Sequence, residues 1–180
     1  MAKAFWGRVE LEAVCAFYYF NKNGRVQQLI HHIKYKGHKE AAITVGQLFG
    51  EQLKTHPLYC SIDLIVPVPL HKKKEQQRGY NQSYYFALGM ATAMKKTVDR
   101  SCLTRIQGAR SQTRKNRFNR WTNVAGSFRL TSPETITNKH ILLIDDVFTT
   151  GATLEACSQA LLQGAHTKVS IATIACASNL

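Results

Sequence analysis

No two cysteines of this chain are spaced as C-x-x-C, and the five present (Cys15, Cys60, Cys102, Cys157 and Cys176) are an odd number. Both facts argue against a zinc ribbon and against the disulfide framework of a small secreted protein, so no zinc is expected. Cys157 and Cys176 stand in apolar patterns and read as small core hydrophobes. No apolar run approaches the roughly 20 residues needed to span a bilayer, and the N-terminal stretch, with Glu10 and Glu12, lacks a signal-peptide core. The expected compartment is the cytoplasm, with no membrane insertion. Also missing is a G-x-x-x-x-G-K-[ST] loop, which argues against an ordinary NTPase. His31, His32 and His38 form no H-x-x-x-H pair and stand beside lysines, as solvated histidines do. Nothing repeats, and no low-complexity or linker segment divides the 180 residues, of which 44% are hydrophobic. That suffices for one core without cross-links.

Acidic residues are scarce as well, 11 against 24 lysines and arginines, and the formal charge is +13. The scarcity is local. Residues 64–133 hold 14 basic residues and only Glu75 and Asp99, a net +12, which leaves the two flanks together at +1. Lys72, Lys73, Lys74 and Arg78 make one cluster; Arg100, Arg105, Arg110, Arg114, Lys115, Arg117 and Arg120 make a second. Solvated faces mix the two signs, and this stretch does not. A pyrophosphorylated sugar or the backbone of a nucleic acid would each account for it.

Hydrophobic periodicity supplies the frame. Residues 5–20 alternate loosely and read as an initial strand or hairpin, ended by Asn21-Lys-Asn-Gly24. Val26, Leu29, Ile30 and Ile33 have helical spacing, and a second helical pattern follows the break at Gly37, through Val45 to Leu53. These two helices precede the core and could form a hood over a site. Tyr35, between Lys34 and Lys36, could stack on a base or be an exposed tyrosine at the edge of the core. Residues 62–68 suit a central strand until Pro67 and Pro69 stop the ladder. A helix is expected over 81–96. Strands near 98–103 and 124–130 would flank residues 104–123, which lack apolar periodicity and read as a long loop. A strand over 141–144, a helix over 153–162 stopped at Gly164, and a last strand over 169–175 close the chain.

The stretch at 141–153, Ile-Leu-Leu-Ile-Asp-Asp-Val-Phe-Thr-Thr-Gly-Ala-Thr, carries the most chemistry. Its apolar run reads as an inner strand of a parallel sheet that stops at two acids and breaks into a small-residue loop before a helix. The first amides of that helix and its dipole would make residues 149–153 a cradle for a phosphate group. Gly151 lets backbone approach a ligand, and the threonines offer hydroxyl donors. Asp145 and Asp146 would repel a bare phosphate; they suit a ligand that also brings hydroxyl groups or a divalent cation, as a ribose 5-phosphate with magnesium does. Such acids also occur in the metal pocket of receiver-like domains, or as caps of the following helix. Two adjacent unpaired carboxylates are costly unless solvated or liganded, which argues against a purely structural role.

This stretch resembles the phosphoribosyl pyrophosphate signature of the type I phosphoribosyltransferases. Val66-Pro-Val-Pro-Leu-His71 followed by Arg78-Gly-Tyr-Asn-Gln82, and Leu103-Thr-Arg105 through Gln112-Thr113, Arg117 and Asn123-Val124 to Phe128, are similar to the ComF branch, named for a competence protein of natural DNA uptake. The blocks fall in that branch's order, and the resemblance runs from about Tyr18 to the last strand. Many members begin with a cysteine-rich, zinc-ribbon-like segment, and none stands before Phe5 here.

The resemblance implies an α/β fold of phosphoribosyltransferase type, a Rossmann-like, mostly parallel sheet flanked by helices. It divides the chain into an N-terminal hood at 1–56 and a core at 57–180 with a basic flexible loop at 104–123. It also implies roles. Asp145 and Asp146 would hold the ribose and, indirectly, the magnesium that phosphoribosyl pyrophosphate brings; Thr149, Thr150, Gly151, Ala152 and Thr153 would hold the 5-phosphate. Pro69, Leu70, His71 and Lys72, assisted by Arg78, would hold the pyrophosphate. Arg105 and the loop arginines would close over the leaving group, so Asp145, Asp146 and Arg105 are the catalytic candidates. In the family an acceptor attacks the anomeric carbon and expels pyrophosphate through positioning and charge stabilisation.

A function of another class competes: a competence factor that keeps the fold and binds single-stranded DNA, with or without catalysis. Tyr80, Phe118 and Trp121 lie among basic residues, the mixture that single-strand binding uses. The nucleic-acid candidates are Arg110, Arg114, Lys115, Arg117, Arg120 and Trp121. A partner in the competence machinery and a second copy of the chain are further partners compatible with this reading. No residue pattern specifies the acceptor.

Overall fold

The computed structural model describes residues 1–20, 24–106 and 126–177. Strands β1 (Ala13–Phe20), β2 (Leu64–Pro67), β3 (Thr97–Val98), β6 (His140–Phe148) and β7 (Lys168–Ala177) form one sheet in the order β1-β7-β6-β2-β3. Every neighbouring pair is parallel. Strands β4 (Leu103–Arg105) and β5 (Phe128–Leu130) make a separate antiparallel ribbon. The helices are α1 (Arg25–Tyr35), α2 (Lys39–Leu53), α3 (Lys72–Arg78), α4 (Gln82–Met94) and α5 (Ala152–Leu161).

A strand sends successive side chains to opposite faces, and the inner strands are apolar on both, so the sheet is covered on two sides. Leu142, Ile144, Ala172 and Ile174 pack with α1, α2 and α4 on one side. Ile141, Leu143, Val169 and Ile171 pack on the other with α5, the β4–β5 ribbon and Phe5. This is the expected α/β architecture with a parallel sheet flanked by helices. The N-terminal stretch supplies α1, α2 and the edge strand β1, whose partner is β7.

Helices α2 and α4 meet backbone to backbone. A Cβ on Gly50 would stand 2.8 Å from that of Ala93 and 2.9 Å from the Met90 carbonyl oxygen, and one on Gly89 would overlap the Ile43 carbonyl. Glycine is needed there for close approach, which brings the first turn of α4 over the carboxyl end of β6.

Local structure adds to or departs from the periodicity at four places. Of the strand or hairpin expected over residues 5–20 a strand forms, β1, which pairs in parallel with the C-terminal strand, while Ala2–Phe5 is a 3₁₀ turn. Residues 98–103 are not one strand, since β3 ends at Val98 in the main sheet and β4 begins the ribbon. Residues 72–78 are helical because Lys-Lys-Lys-Glu-Gln-Gln-Arg are good helix formers, His71 caps the start and Gly79, at φ 77°, closes the end. Strand β6 runs on to Phe148 because the ten-residue β7 keeps pairing with it, Asp145 opposite Thr173 and Phe148 opposite Cys176. The two acids therefore stand inside a strand.

Candidate functional site

Asp145 and Asp146 are held by the start of α4. Asn81 is its N-cap: its Oδ1 accepts from the Ser83 amide at 3.0 Å, while its Nδ2 donates to the Val68 carbonyl at 3.0 Å and ties the helix to the end of β2. So fixed, the next two residues reach the acids. Ser83 Oγ donates to Asp145 Oδ1 at 3.0 Å, and Gln82 Nε2 donates to Asp146 Oδ2 at 2.6 Å. The other oxygen of Asp146 meets Lys34 Nζ from α1 at 3.0 Å. Asp146 is thus buried with both oxygens partnered, and Asp145 is half-buried.

Asp145 turns to the loop. With Val147 and residues 149–154 it lines a small pocket between β6 and α5. Gly151 is the N-cap of α5, in the left-handed region at φ 80°, and no side chain caps this helix end. Thr150 Oγ1 approaches the Ala152 amide at 3.5 Å, and Thr149 is exposed. The first-turn amides and the positive end of the dipole therefore share a pocket with a carboxyl group. Burial first, and then the Asp146 carboxylate, push the Asp145 carboxyl up from 3.8 to about 7; Lys34 and the bonds from Ser83 and the Asp146 amide oppose the rise.

Gly151 serves the fold before any ligand. A Cβ there would stand 3.0 Å from Phe148 Cε2 and 3.3 Å from Phe5 Cε1, so the glycine accommodates the two rings beneath the loop. This conformational and packing requirement stands beside the expected role of Gly151 in admitting a ligand to the backbone.

Pro69, Leu70 and His71 form the turn between β2 and α3, half-buried, with Lys72 exposed at the helix start. His71 is committed locally, its Nδ1 accepting from the Lys73 amide at 3.2 Å. Arg78 reaches back to the site: Nη1 donates to Gln82 Oε1 at 3.0 Å, and Nη2 to the Tyr35 hydroxyl at 3.3 Å. Arg105 lies on β4 with its guanidinium 5.3 Å from the Phe128 ring centroid. Arg110, Arg114, Lys115, Arg117, Arg120, Phe118 and Trp121 lie outside the described residues. Tyr80 is not available to a base: it is buried, its hydroxyl donates to the Ile33 carbonyl, and Lys39 covers its ring.

Lys34, Gln82 and Ser83 were not among the expected site residues. Gln82 stands in the block that begins at Arg78, which marked it; Lys34 carries no local sign, because its partner is on the far side of the chain in sequence. Among the described residues no three or more His, Cys, Asp or Glu side chains gather as a metal site, and no helix is long and apolar enough to cross a membrane.

No protein-family model matches the chain. Among characterised proteins it is similar to the DNA utilization protein YhgH of Salmonella typhi, 27% identical over 146 residues, which covers 79% of this chain and 63% of that protein. The protein of the same name from Escherichia coli is 29% identical over 147 residues, with the same coverage. The competence protein ComFC of Bacillus subtilis is 26% identical over 148 residues, 80% of this chain and 56% of that one. The chain thus spans under two thirds of the length of these relatives. Among solved structures it is similar to the glutamine phosphoribosylpyrophosphate amidotransferase of B. subtilis complexed with ADP and GMP, with TM-score 0.52 and 14% identity over 81% of this chain and 30% of that one. That likeness shows the fold.

Proposed function

We propose that this chain, which is similar to ComF-type DNA utilization and competence proteins and has the phosphoribosyltransferase fold, binds phosphoribosyl pyrophosphate with magnesium at the β6–α5 junction. One observation carries the reading: Asp145, a carboxyl group inside β6, shares a pocket with the start of α5. A helix end of this kind attracts phosphate, and a carboxyl group beside it would repel phosphate unless the ligand brought hydroxyl groups or a cation. A ribose phosphate supplies both kinds of group. Residues 149–153 bind its 5-phosphate and Asp145 accepts from its hydroxyls, while Asp146 is oriented by Lys34 and Gln82. Two carboxyl groups, one of them already paired, are too few for an all-protein magnesium cage, and fit an ion that arrives with the ligand. Magnesium would neutralise the pyrophosphate charge.

The reaction that suits this ligand is phosphoribosyl transfer. The anomeric carbon–oxygen bond to pyrophosphate breaks, a bond to the acceptor forms, and pyrophosphate leaves with the bonding electron pair. Arg78 and the turn of Pro69, Leu70, His71 and Lys72 carry the positive charge and polar groups on that side. Titration calorimetry with phosphoribosyl pyrophosphate and magnesium tests the binding step. Saturable binding by the wild type that Asp145→Asn loses is expected; a wild type that takes up no heat at millimolar ligand overturns the reading.

A second reading is favoured by the relatives' names and by the basic excess of residues 64–133: the chain binds single-stranded DNA, with or without transfer chemistry. Counterion release makes such binding fall steeply with salt, which titration at several salt concentrations measures.

A further inference from the structure

Besides the arginine cluster of residues 110–120, a second basic surface lies wholly within described residues. The chain has no acid between Glu12 and Glu40. In that interval α1, the turn after it and the first residue of α2 carry Arg25, Lys34, Lys36 and Lys39. Lys34 is spent inward on Asp146, and Lys39 lies over the Tyr80 and Tyr85 rings. Arg25 and Lys36 are exposed, as are His31 and His32.

Tyr35 is the unusual member. It is 61% exposed, with His31 one turn away at 5.1 Å between ring centroids. The Arg78 guanidinium lies 5.0 Å from its centroid. A tyrosine so exposed contributes nothing to the core, yet its position is set by two neighbours.

Arg78 carries the surface onto α3, whose Lys72, Lys73 and Lys74 are all exposed. The one acid of α3, Glu75, is neutralised by Arg100 at 3.2 Å, and that guanidinium lies 4.1 Å from the Tyr84 ring centroid. Helix α3 therefore connects two arginine–tyrosine stacks through a row of lysines. Lysines alone would suit any polyanion. Aromatic faces interleaved with guanidinium planes suit unpaired bases, because every base has a face to stack and a duplex keeps its own bases stacked inside.

We propose that the exposed face of α1, continued by α3, is a docking surface for single-stranded nucleic acid, with bases stacking at Tyr35 and His31 and phosphates meeting Lys36 and the α3 lysines. The proposal rests on the single-stranded DNA reading above and assigns the contact to the hood helix, beside the acid pair that Lys34 engages from the same helix.

Fluorescence anisotropy with a labelled oligothymidylate at several salt concentrations tests it on the whole chain. Tyr35→Ala is expected to weaken binding about fivefold or more, the range of one lost base stack. Tyr35→Phe, which keeps the ring and loses only the bond from Arg78, should keep most of the affinity. Lys36→Gln should flatten the slope of log affinity against log salt by roughly 0.7. Melting temperatures of the variants should match the wild type, since both side chains are exposed. If the wild type binds and neither Tyr35→Ala nor Lys36→Gln changes affinity or slope, the surface is wrong and the contact lies on other basic residues. A wild type that binds no strand at low salt overturns the DNA reading itself.

Discussion

Lys34 Nζ, on helix α1, stands 3.0 Å from Asp146 Oδ1 inside β6 and places a positive charge beside the acid pair. The contact is mostly dry, with 21% of the lysine side chain and 7% of the aspartate exposed. It joins the first helix of the chain to the strand that carries the site, so the state of the acids and the seating of α1 are linked.

Lys34→Met should therefore destabilise the protein in a pH-dependent way. At pH 8 the Asp146 charge would be left buried with Gln82 alone, at a cost of about 3 kcal/mol. The loss should shrink near pH 5, where Asp145 is protonated and the repulsion between the acids is relieved. Urea melts at the two pH values measure it; equal losses would argue against the coupling.

Asp145→Asn should stabilise the unliganded protein above neutral pH. The native carboxyl keeps its proton up to about 7, whereas an unfolded one releases it near 3.8, so ionisation lowers native stability progressively as pH rises between those values. Asparagine carries no such cost. The melting-temperature gain of the variant should widen from pH 4 to pH 7 and then level off, while stabilisation by phosphoribosyl pyrophosphate disappears. A gain that does not change with pH would show that Asp145 titrates normally.

At the loop, Gly151→Ala is expected to cost stability without saying where phosphate binds. Its φ of 80° disfavours a side chain by about 1 kcal/mol, and the Cβ would press on Phe148 and Phe5. Thr153→Val is the cleaner probe of the cradle. It should keep the melting temperature and reduce the thermal shift produced by ribose 5-phosphate, and an undiminished shift would place the phosphate elsewhere.

Gly89→Ala tests the helix contact that carries the site. The new methyl would meet the Ile43 carbonyl, so α2 and α4 must separate, at about 3 kcal/mol. Gln82 and Ser83 ride on α4, and ligand affinity should fall together with stability. A variant as stable as the wild type in urea would mean that the helices can slide apart freely.

The strand–loop–helix unit around Asp145 was legible because each part is local: an apolar run, two acids, small turn residues and a helical repeat follow one another within residues 141–162. The length of β6 was not. Apolarity ends at Ile144, and only the paired length of β7 extends the strand to Phe148. Helix α3 escaped periodicity because it buries no residue. Tyr80 stands in the sequence two residues from Arg78, yet the Ile33 carbonyl draws it inside. Its neighbours in the chain could not announce that burial.

By itself, the sequence determined the parallel α/β class, the basic surplus and the turn where acids meet a helix start, since propensity, charge and turn chemistry act between near neighbours. Tertiary structure alone decided what surrounds the acids. It turned β1 into an edge strand beside β7, let Gly46, Gly50 and Gly89 bring α4 against α2, and set Lys34 and Gln82 on the two oxygens of Asp146. These partners are distant in the chain, and only burial in a shared core makes a lysine and an aspartate so far apart the best available partners for one another.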